Sequence, residues 1–520
     1  MNVADYKLKF QRNGPFVFID KIAGLNTHAP DPLKPGVVEL LQSQLKQKLF
    51  VVSRLDKGTS GALILATTSE SAHGLTQLFE SRQVKKKYLF LTDHSPEKHA
   101  FEQKSYIFKD GSNFVSDRTH SQPNSHTQFQ FLKTLGNYSL WEARPLTGKP
   151  HQIRLHAKAA GIPVLGDLEH GGKNFYRMCL HATEVDFVYN GENFHFKSHD
   201  PVWMTESSEE DLKLWESLRR RELLFDDPLS ANICLRWSHQ EIPEYRVDQF
   251  GSHLWVYWYK KDPPQAADWK RFERLKTQLG KDIWIRQMVN RGAKGEKSQL
   301  WSIGAPHDQW KAEENGVQYE LRAQQGLSPG LFLDQRLNRI FIKSHSHEKK
   351  VLNLFCYTGG FSINAALGGA LETCSVDVSA TYLGWTKENF RLNGLSPEDP
   401  QYQFWEADSQ FFLKACFKRG RKFDLIICDP PSVGRTKEGT FQIQKHLSPL
   451  VEACLQVLNP KGEILLSTNY ERWGLEDLKE QVLPLCSRAD VEVLPSFQAG
   501  LDFELPGEAP LMKSLLLKRR

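Results

Sequence analysis

Cysteine is sparse in this chain, and where it occurs it stands alone. Eight cysteines are spread over 520 residues, and none forms a Cys-x-x-Cys pair or joins histidines at metal-ligand spacing. Neither a structural zinc site nor a disulfide framework is expected, so the metal expectation is none. Most of the cysteines sit in apolar runs such as DLIICDPP, where a thiol acts as a small hydrophobe. Long apolar runs are missing too. None reaches the roughly 18 residues a membrane helix needs, so no membrane partner is expected. The opening MNVADYKLKFQRNG lacks an apolar stretch of signal-peptide type, and a cytoplasmic location is expected. There is no strong charge of one sign either: 67 Lys and Arg face 62 Asp and Glu. That mild basicity permits a polyanionic partner without requiring one.

A chain of 520 residues exceeds a single core, so several domains are expected. From Gly14 to Val202 the sequence reads as short strands (FVFIDKIAG, LFVVSRLD, ALILAT, KYLFLTD, TQFQFLKTL, LWEARPL, EVDFVYN) with one helix, SESAHGLTQLFESRQ, capped at Ser69. This predicts a mixed α+β fold with a mostly antiparallel sheet. TESSEEDLKLWESLRRREL runs from acidic to basic, as a helix dipole prefers, and reads as a connecting helix. Next come EYRVDQF, SHLWVYWY and a helix from Trp269 to Leu279. The Trp-rich segment alternates as a strand does, which favours core packing over RNA contact. From Lys349 onward, apolar strands alternate with amphipathic helices, which predicts a doubly wound parallel sheet.

The chemistry of the carboxy-terminal half begins at VLNLFCYTGGFSINAALGGA, a buried strand, a glycine turn and a helix. Such a turn lets a ligand approach backbone and helix N-terminus. Asp377 ends the next strand at ribose-binding spacing, and Asp408 ends a third where adenine is commonly met. FDLIICDPPSVG then places Asp429-Pro430-Pro431 at a strand's carboxyl end, where proline removes donors and ligands sit in open α/β sheets.

These features resemble class I S-adenosylmethionine (SAM) dependent methyltransferases. GLFLDQRLNR, LNLFCYTGGFSINAALGGA and VDVSATYLGWTKENFRLNGL are similar to the RlmI/RlmK group of large-subunit ribosomal RNA methyltransferases. The resemblance implies SAM contacts from Phe332, Asp334, Phe355, Tyr357, Thr358, Gly359, Asp377, Asp408 and Asp429. Asp429, Pro430 and Pro431 would lie beside the transferred methyl, with Asn469 at the RNA. Methylation at cytosine carbon 5 needs a cysteine that adds to the ring. The loops DPPSVGRTK and LLSTNYERW hold none, and Cys428 lies within the strand, so a nitrogen target is expected, guanine N7 by resemblance to the RlmK type. Cytosine carbon 5 is the alternative. Ser432-Val433 departs from the Thr-Phe usual there.

In the amino-terminal half, RLDKGTSGALILA places Asp56 between Arg54 and Lys57. QIRLHA reads as an alternating strand whose Arg154 needs a carboxylate; Asp56 is a candidate, though spacing alone does not show that they meet. DKIAGLNTHAP, RLDKGTSGALILA, QVKKKYLFL, TGKPHQIRLHAKAAGIPVLGD and CLHATEVDF occur in the order seen in RluA-type pseudouridine synthases. By that resemblance Asp56 is the nucleophile, Arg154 holds it ionised, and Tyr88 stacks on uracil and helps remove the carbon-5 proton. Arg54, Lys85, Lys86, Lys87, Lys149 and His151 would contact RNA, and no cofactor is implied. Ser53 and Lys149 depart from the family's His and Arg. His151, His156 and His181 are expected to serve as hydrogen-bonding residues.

The expected organisation is therefore a synthase domain over residues 1–204, a connecting helix at 205–223, a small α+β RNA- or substrate-binding subdomain at 224–325, and a Rossmann-like methyltransferase domain at 326–520. Two RNA-modifying activities in one polypeptide are the leading expectation, with large-subunit ribosomal RNA as partner. The alternatives are a synthase-like half that only binds RNA, and a small-molecule methyltransferase.

Overall fold

The computed structural model describes residues 7–29, 35–204, 208–225, 227–230, 233–288, 298–436, 439–495, 499–503 and 511–520. The chain forms two compact units, Met1–Pro228 and Leu229–Arg520.

The first unit opens with the hairpin β1 (Phe10–Asn13) and β2 (Phe16–Lys21), then helix α1 (Val37–Leu45) and the short strand β3 (Phe50–Val51). Strand β4 (Ser60–Ala66) leads through helix α2 (Ser69–Glu80) to β5 (Lys85–Thr92). Strands β6 (Ala100–Asp110), β7 (Asn113–Asp117), β8 (Ser125–Leu135) and β9 (Tyr138–Pro145) follow. Helix α3 (Gln152–Ala159), strands β10 (Leu180–Tyr189) and β11 (Glu192–Lys197), and helix α4 (Glu209–Glu222) complete it. Eleven strands share one sheet in the order β1-β2-β4-β10-β5-β9-β8-β6-β7, with β3 on β4 and β11 on β10. Only the β4–β10 pair is parallel, as the strand-and-turn pattern predicts. Strand β4 is buried along its whole length, so its SGALILA run has no polar face to present.

Three local expectations change. Helix α2 is capped by Thr68, not Ser69; the Thr68 hydroxyl accepts from the Ser71 N–H. QIRLHA is helix α3, not a strand. All residues from Gln152 to Ala157 are buried, and a short helix wrapped on every side carries no helical stripe to read. The expected connecting helix is α4, and Thr205 to Ser207 of that stretch lie outside the described residues. Its Leu212 packs with Leu89, Leu91, Leu140 and Trp203, and Glu216 pairs with Arg177 at 2.7 Å. The helix belongs to the first unit's core.

The second unit starts with strands β12 (Cys234–Ser238), β13 (Tyr245–Phe250) and β14 (His253–Trp258), helix α5 (Ala266–Leu279), and strands β15 (Asp282–Gln287) and β16 (Leu300–Ile303). These five strands pair in sequence order, with β14 and β15 parallel across α5. Every residue of β14 is buried, so its tryptophans are core, as the alternation predicts. The hairpin β17 (Gln309–Glu314) and β18 (Val317–Arg322) follows, then helix α6 (Arg336–His345).

The remaining chain alternates: β19 (Lys350–Leu354), α7 (Gly360–Leu367), β20 (Glu372–Asp377), α8 (Ala380–Leu392), β21 (Tyr402–Glu406), α9 (Ser409–Lys418), β22 (Phe423–Cys428). A hairpin of β23 (Val433–Thr436) and β24 (Gly439–Gln442) precedes α10 (Ile443–Gln456) and β25 (Leu458–Thr468). Helix α11 (Leu475–Arg488), β26 (Val491–Pro495) and β27 (Lys513–Arg519) close the fold. The sheet order is β21-β20-β19-β22-β25-β27-β26. It is the expected Rossmann-like parallel sheet, with β27 running antiparallel to both its neighbours. The winding reverses between β19 and β22, which opens a crevice at their carboxyl ends.

Candidate active sites

In the first unit, α3 and the turn after β3 meet. Arg154, which is buried, points Nη1 at Asp56 Oδ2, 3.2 Å away. The same guanidinium donates from Nε and Nη2 to Asp167, at 2.8 and 2.6 Å, and from Nη2 to Glu169 at 2.7 Å. Burial opposes the charge of Arg154, but the carboxylates of Asp167, Asp56 and Glu169 outweigh it and raise its pKa further. Asp167 and Glu169 thus hold Nε and Nη2, and Nη1 is left for Asp56.

The Asp56 loop is pinned from behind. Leu55 exchanges hydrogen bonds with the Thr27 hydroxyl, donating its N–H at 3.2 Å and accepting at 3.0 Å. Lys21, fully buried, donates to the carbonyls of Ile22, Leu25 and Lys57. Burial lowers its pKa to about 7, against the pull of Asp56. Asp167 is placed by Gly166, which has φ +81°; a Cβ there would lie 1.9 Å from the Arg177 carbonyl oxygen.

Tyr88 is half-buried on β5. Burial and the Asp56 charge push its phenol well above the ordinary value, so it stays protonated. The expected basic cluster is not one surface. Strand alternation turns Lys86 and Tyr88 to one face and Lys85 and Lys87 to the other. Lys86 donates to the Thr147 carbonyl at 3.3 Å, and burial lowers its pKa to about 8. Lys87 is paired with Glu142 at 3.3 Å and Glu184 at 3.6 Å. Lys85, Arg54 and Lys149 are exposed.

His156 and His181 are hydrogen-bonding residues, as expected. His156 lies within 3.1 Å of Ser105, Ser125 and Thr127, and His181 bridges Ser60 and Ser198. His151 also hydrogen-bonds, its Nδ1 to His170 Nε2 at 3.0 Å, and the fold brings it to Glu169 as well, with the ligand atoms of all three within 4.8 Å of one another. Sequence spacing could not reveal that, because 17 residues and a turn separate His151 from Glu169. Asp167, Glu169, His170, Lys21 and Thr27 were all missed, though VLGDLEH offered a signal: acids following a strand-ambiguous arginine.

In the second unit the expected SAM residues from Phe355 to Gly359, with Asp377, Asp408 and Asp429, lie at or just past the ends of β19, β20, β21 and β22, whereas Phe332 and Asp334 lie in the turn before α6. Phe355 and Tyr357 take positive φ, +55° and +51°, at the turn after β19. Gly359, φ +81°, caps α7; a Cβ would lie 2.3 Å from Thr386 Cγ2, so only glycine fits. Thr358 is buried and donates to the Gly330 carbonyl at 2.5 Å. The Phe332 and Tyr357 rings lie 5.2 Å apart. Asp377 accepts from the Tyr357 and Ser379 N–H groups, both at 3.0 Å, and burial raises its pKa. Asp408 caps α9, accepting from Gln410 and Phe411 N–H groups, so one of its oxygens already has a structural task. Val378 and Phe411, beside these two carboxylates in sequence, are 44% and 62% exposed. Apolar surface next to hydrogen-bonding carboxylates fits a nucleoside, and the residues present therefore fit SAM.

Asp429 is half-buried at the end of β22. Its Oδ1 accepts from the Ser467 hydroxyl at 2.7 Å, which accepts from Gln335 Nε2 at 3.1 Å, whose Oε1 accepts from Asn338 at 2.7 Å. Burial, and the nearby Asp334, raise the Asp429 pKa to about 6 against the Ser467 hydrogen bond. Burial also raises that of Asp334, against Arg236 and Arg339. Pro430 is buried and Pro431 exposed. The Ser432 hydroxyl donates to Asn469 at 3.4 Å, joining the two loops expected at the RNA. All eight cysteines are buried.

Comparison with known proteins follows the same division. Residues 15–159 match the RNA pseudouridylate synthase family model, and residues 251–492 match the model for S-adenosylmethionine-dependent methyltransferases. A ribosomal RNA large subunit methyltransferase K/L from Shewanella woodyi is 35% identical over 246 residues, covering 45% of this chain and 34% of the relative. The protein of that name from Psychrobacter arcticus is 30% identical over 322 residues, covering 59% and 40%. The chain thus spans well under two thirds of these relatives' length. A solved structure from Streptococcus mutans, assigned to the SAM-dependent methyltransferases, is 22% identical with a TM-score of 0.52, over 65% of this chain and 88% of that one. It shows the fold alone. The cofactor of the second unit is SAM. Two family domains stand in tandem in this chain, an RNA pseudouridylate synthase domain and a SAM-dependent methyltransferase domain.

Proposed function

We propose that the chain is a two-site RNA-modifying enzyme that isomerises uridine with its first unit and methylates an RNA base with its second. The observation that carries the first half is the 3.2 Å contact from Arg154 to Asp56, made by residues 98 apart in sequence. Asp56 adds to the ribose or ring of a flipped uridine as the glycosidic bond to nitrogen breaks; the base turns, carbon 5 bonds to the ribose, the bond to Asp56 breaks to restore the carboxylate, and the carbon-5 proton passes to water. Arg154 aims the carboxylate, and Tyr88 stacks on the uracil. The exposed cations Arg54, Lys85 and Lys149 face phosphates.

Bound SAM supplies an electrophilic methyl group. Asp377 and Asp408 hold its ribose and adenine ends, the turn from Phe355 to Gly359 receives its middle, and Asp429 with Pro430 and Pro431 positions the acceptor base. A nitrogen acceptor carries its own lone pair and needs orientation rather than covalent addition. The buried state of all eight cysteines supports nitrogen over cytosine carbon 5, because no thiol reaches the crevice surface. Guanine N7 in large-subunit ribosomal RNA is the target proposed, supported by the RlmK-type motifs and by the names of the relatives. Among the described residues no helix is long and apolar enough to cross a membrane, in keeping with a cytoplasmic site of action.

The test is RNA from cells that carry Asp56→Asn in place of the wild-type chain. The proposal expects loss of specific pseudouridines with methylation kept. Pseudouridines unchanged from wild type would reduce the first unit to an RNA-binding module.

A further inference from the structure

The cluster of His151, Glu169 and His170 is used by neither proposed reaction as a unit, and its geometry is that of a ligand set. His151 Nδ1 and His170 Nε2 are 3.0 Å apart. Glu169 Oε1 lies 3.5 Å from the first and 3.8 Å from the second. The circle through these three atoms has a radius of about 2 Å, so one ion reaches all three at the 2.0–2.2 Å of zinc–nitrogen and zinc–oxygen bonds. We propose that the first unit binds a first-row divalent cation, Zn²⁺ by preference, on His151, Glu169 and His170.

Charge supports the site. Asp56, Asp167 and Glu169 all contact Arg154, so three carboxylates share one guanidinium and leave a surplus of negative charge. A divalent cation balances it. The ligands are also oriented from outside. Arg154 occupies Glu169 Oε2 at 2.7 Å, which leaves Oε1 for the ion. His151 turns its other nitrogen, Nε2, toward Asp56 Oδ1 at 4.0 Å, and the Phe114 ring lies 5.5 Å from its imidazole. His170 is buried, 5% exposed, so its ring cannot swing away. Two imidazoles and one carboxylate, with a fourth position left for water, form a donor set that suits zinc better than magnesium or calcium. The cation would stand one imidazole away from Asp56. The assignment does not rest on uridine isomerisation, because metal content and pseudouridine formation are read by separate assays.

The experiment uses the full chain, stripped with a chelator and titrated with Zn²⁺ against a chromophoric competitor at pH 7.5. One equivalent is expected to bind. Glu169→Gln and His170→Asn are expected to weaken binding at least about tenfold. Zn²⁺ is expected to raise the Tm of the wild type but not of the variants. An X-ray absorption spectrum of zinc-loaded wild type gives a readout that needs no variant; two imidazole nitrogens and one carboxylate oxygen are expected. Less than half an equivalent of zinc, sulfur in the coordination shell, or unchanged affinity in both variants would overturn the proposal.

Discussion

Asp56 and Asp429 are both held by hydrogen bonds, but from different partners: Arg154 for Asp56 and Ser467 for Asp429. Asp56 faces an arginine whose fork is already anchored on Asp167, so its aim depends on the guanidinium's shape as well as its charge. Arg154→Lys keeps the charge and loses the fork. Pseudouridine formation by that variant is expected to fall by about 100-fold, since a displacement of about 1 Å costs that much; single-turnover kinetics on an RNA substrate measure it. Asp429 instead meets burial and a second carboxylate, which raise its pKa from 3.8 to about 6. The folded unit therefore binds this proton more tightly than the unfolded chain does. The stabilisation is complete below about pH 3.8 and is lost as pH rises through about 6. Asp429→Asn removes the charge while its amide oxygen can still accept from Ser467. It is expected to raise the Tm of the second unit at pH 8, with the gain vanishing near pH 4, and to cut methyl transfer. Melting curves across that pH range give the sign directly.

At the scale of elements, helices and loops do work the sequence pattern did not announce. Asn389 and Asn393 on α8 accept from the Glu320 and Gln318 N–H groups of β18, which satisfies a sheet edge with side chains. Asn389 also donates to the Thr358 carbonyl, so one asparagine ties that hairpin to the SAM turn. Asn389→Ala is expected to lower the second unit's stability by about 1–3 kcal/mol, because buried backbone groups lose their partner; denaturant titration reads it. Gly359→Ala is expected to abolish measurable SAM binding by calorimetry, given a positive φ and a 2.3 Å collision with Thr386. In the second unit β13, β14, β19, β20, β21, β22 and β25 were legible as apolar or alternating runs, whereas β12, β15 to β18, β23, β24, β26 and β27 were not singled out. In the first unit, QIRLHA was not legible as a helix, since six buried residues in a row erase periodicity. The Asp56–Arg154 pairing was legible as a need for a carboxylate and through the family resemblance, though not from spacing. Asp167 and Glu169, which make the fork rigid, were hidden because a tertiary turn through Gly166 delivers them. The lysines at 85–87 were read only as RNA contacts, and a run of like charges does not show that a strand divides them between two faces.

At the scale of the molecule, both compact units bury histidines, and burial lowers His253 of the second unit from 6.5 to about 4. In the first, burial lowers His156 and His181 from 6.5 to about 4. Each contributes stability that is present above pH 6.5 and lost as pH falls through about 4, with a slope of about 1.4 kcal/mol per pH unit. The first unit is expected to unfold first on acidification, and His181→Gln to shift that midpoint to lower pH; far-UV circular dichroism on the separate halves, divided after Pro228, follows both. Under the proposed function, joining the two domains in one chain would raise the effective concentration of the second at a site held by the first. The most direct test maps pseudouridine and methylguanosine, at nucleotide resolution, in RNA from cells carrying Asp56→Asn or Asp429→Ala. Two independent active sites predict that Asp56→Asn removes only pseudouridines and Asp429→Ala only methyl marks; RNA that keeps all its pseudouridines in Asp56→Asn, or loses both marks in either variant, would contradict it.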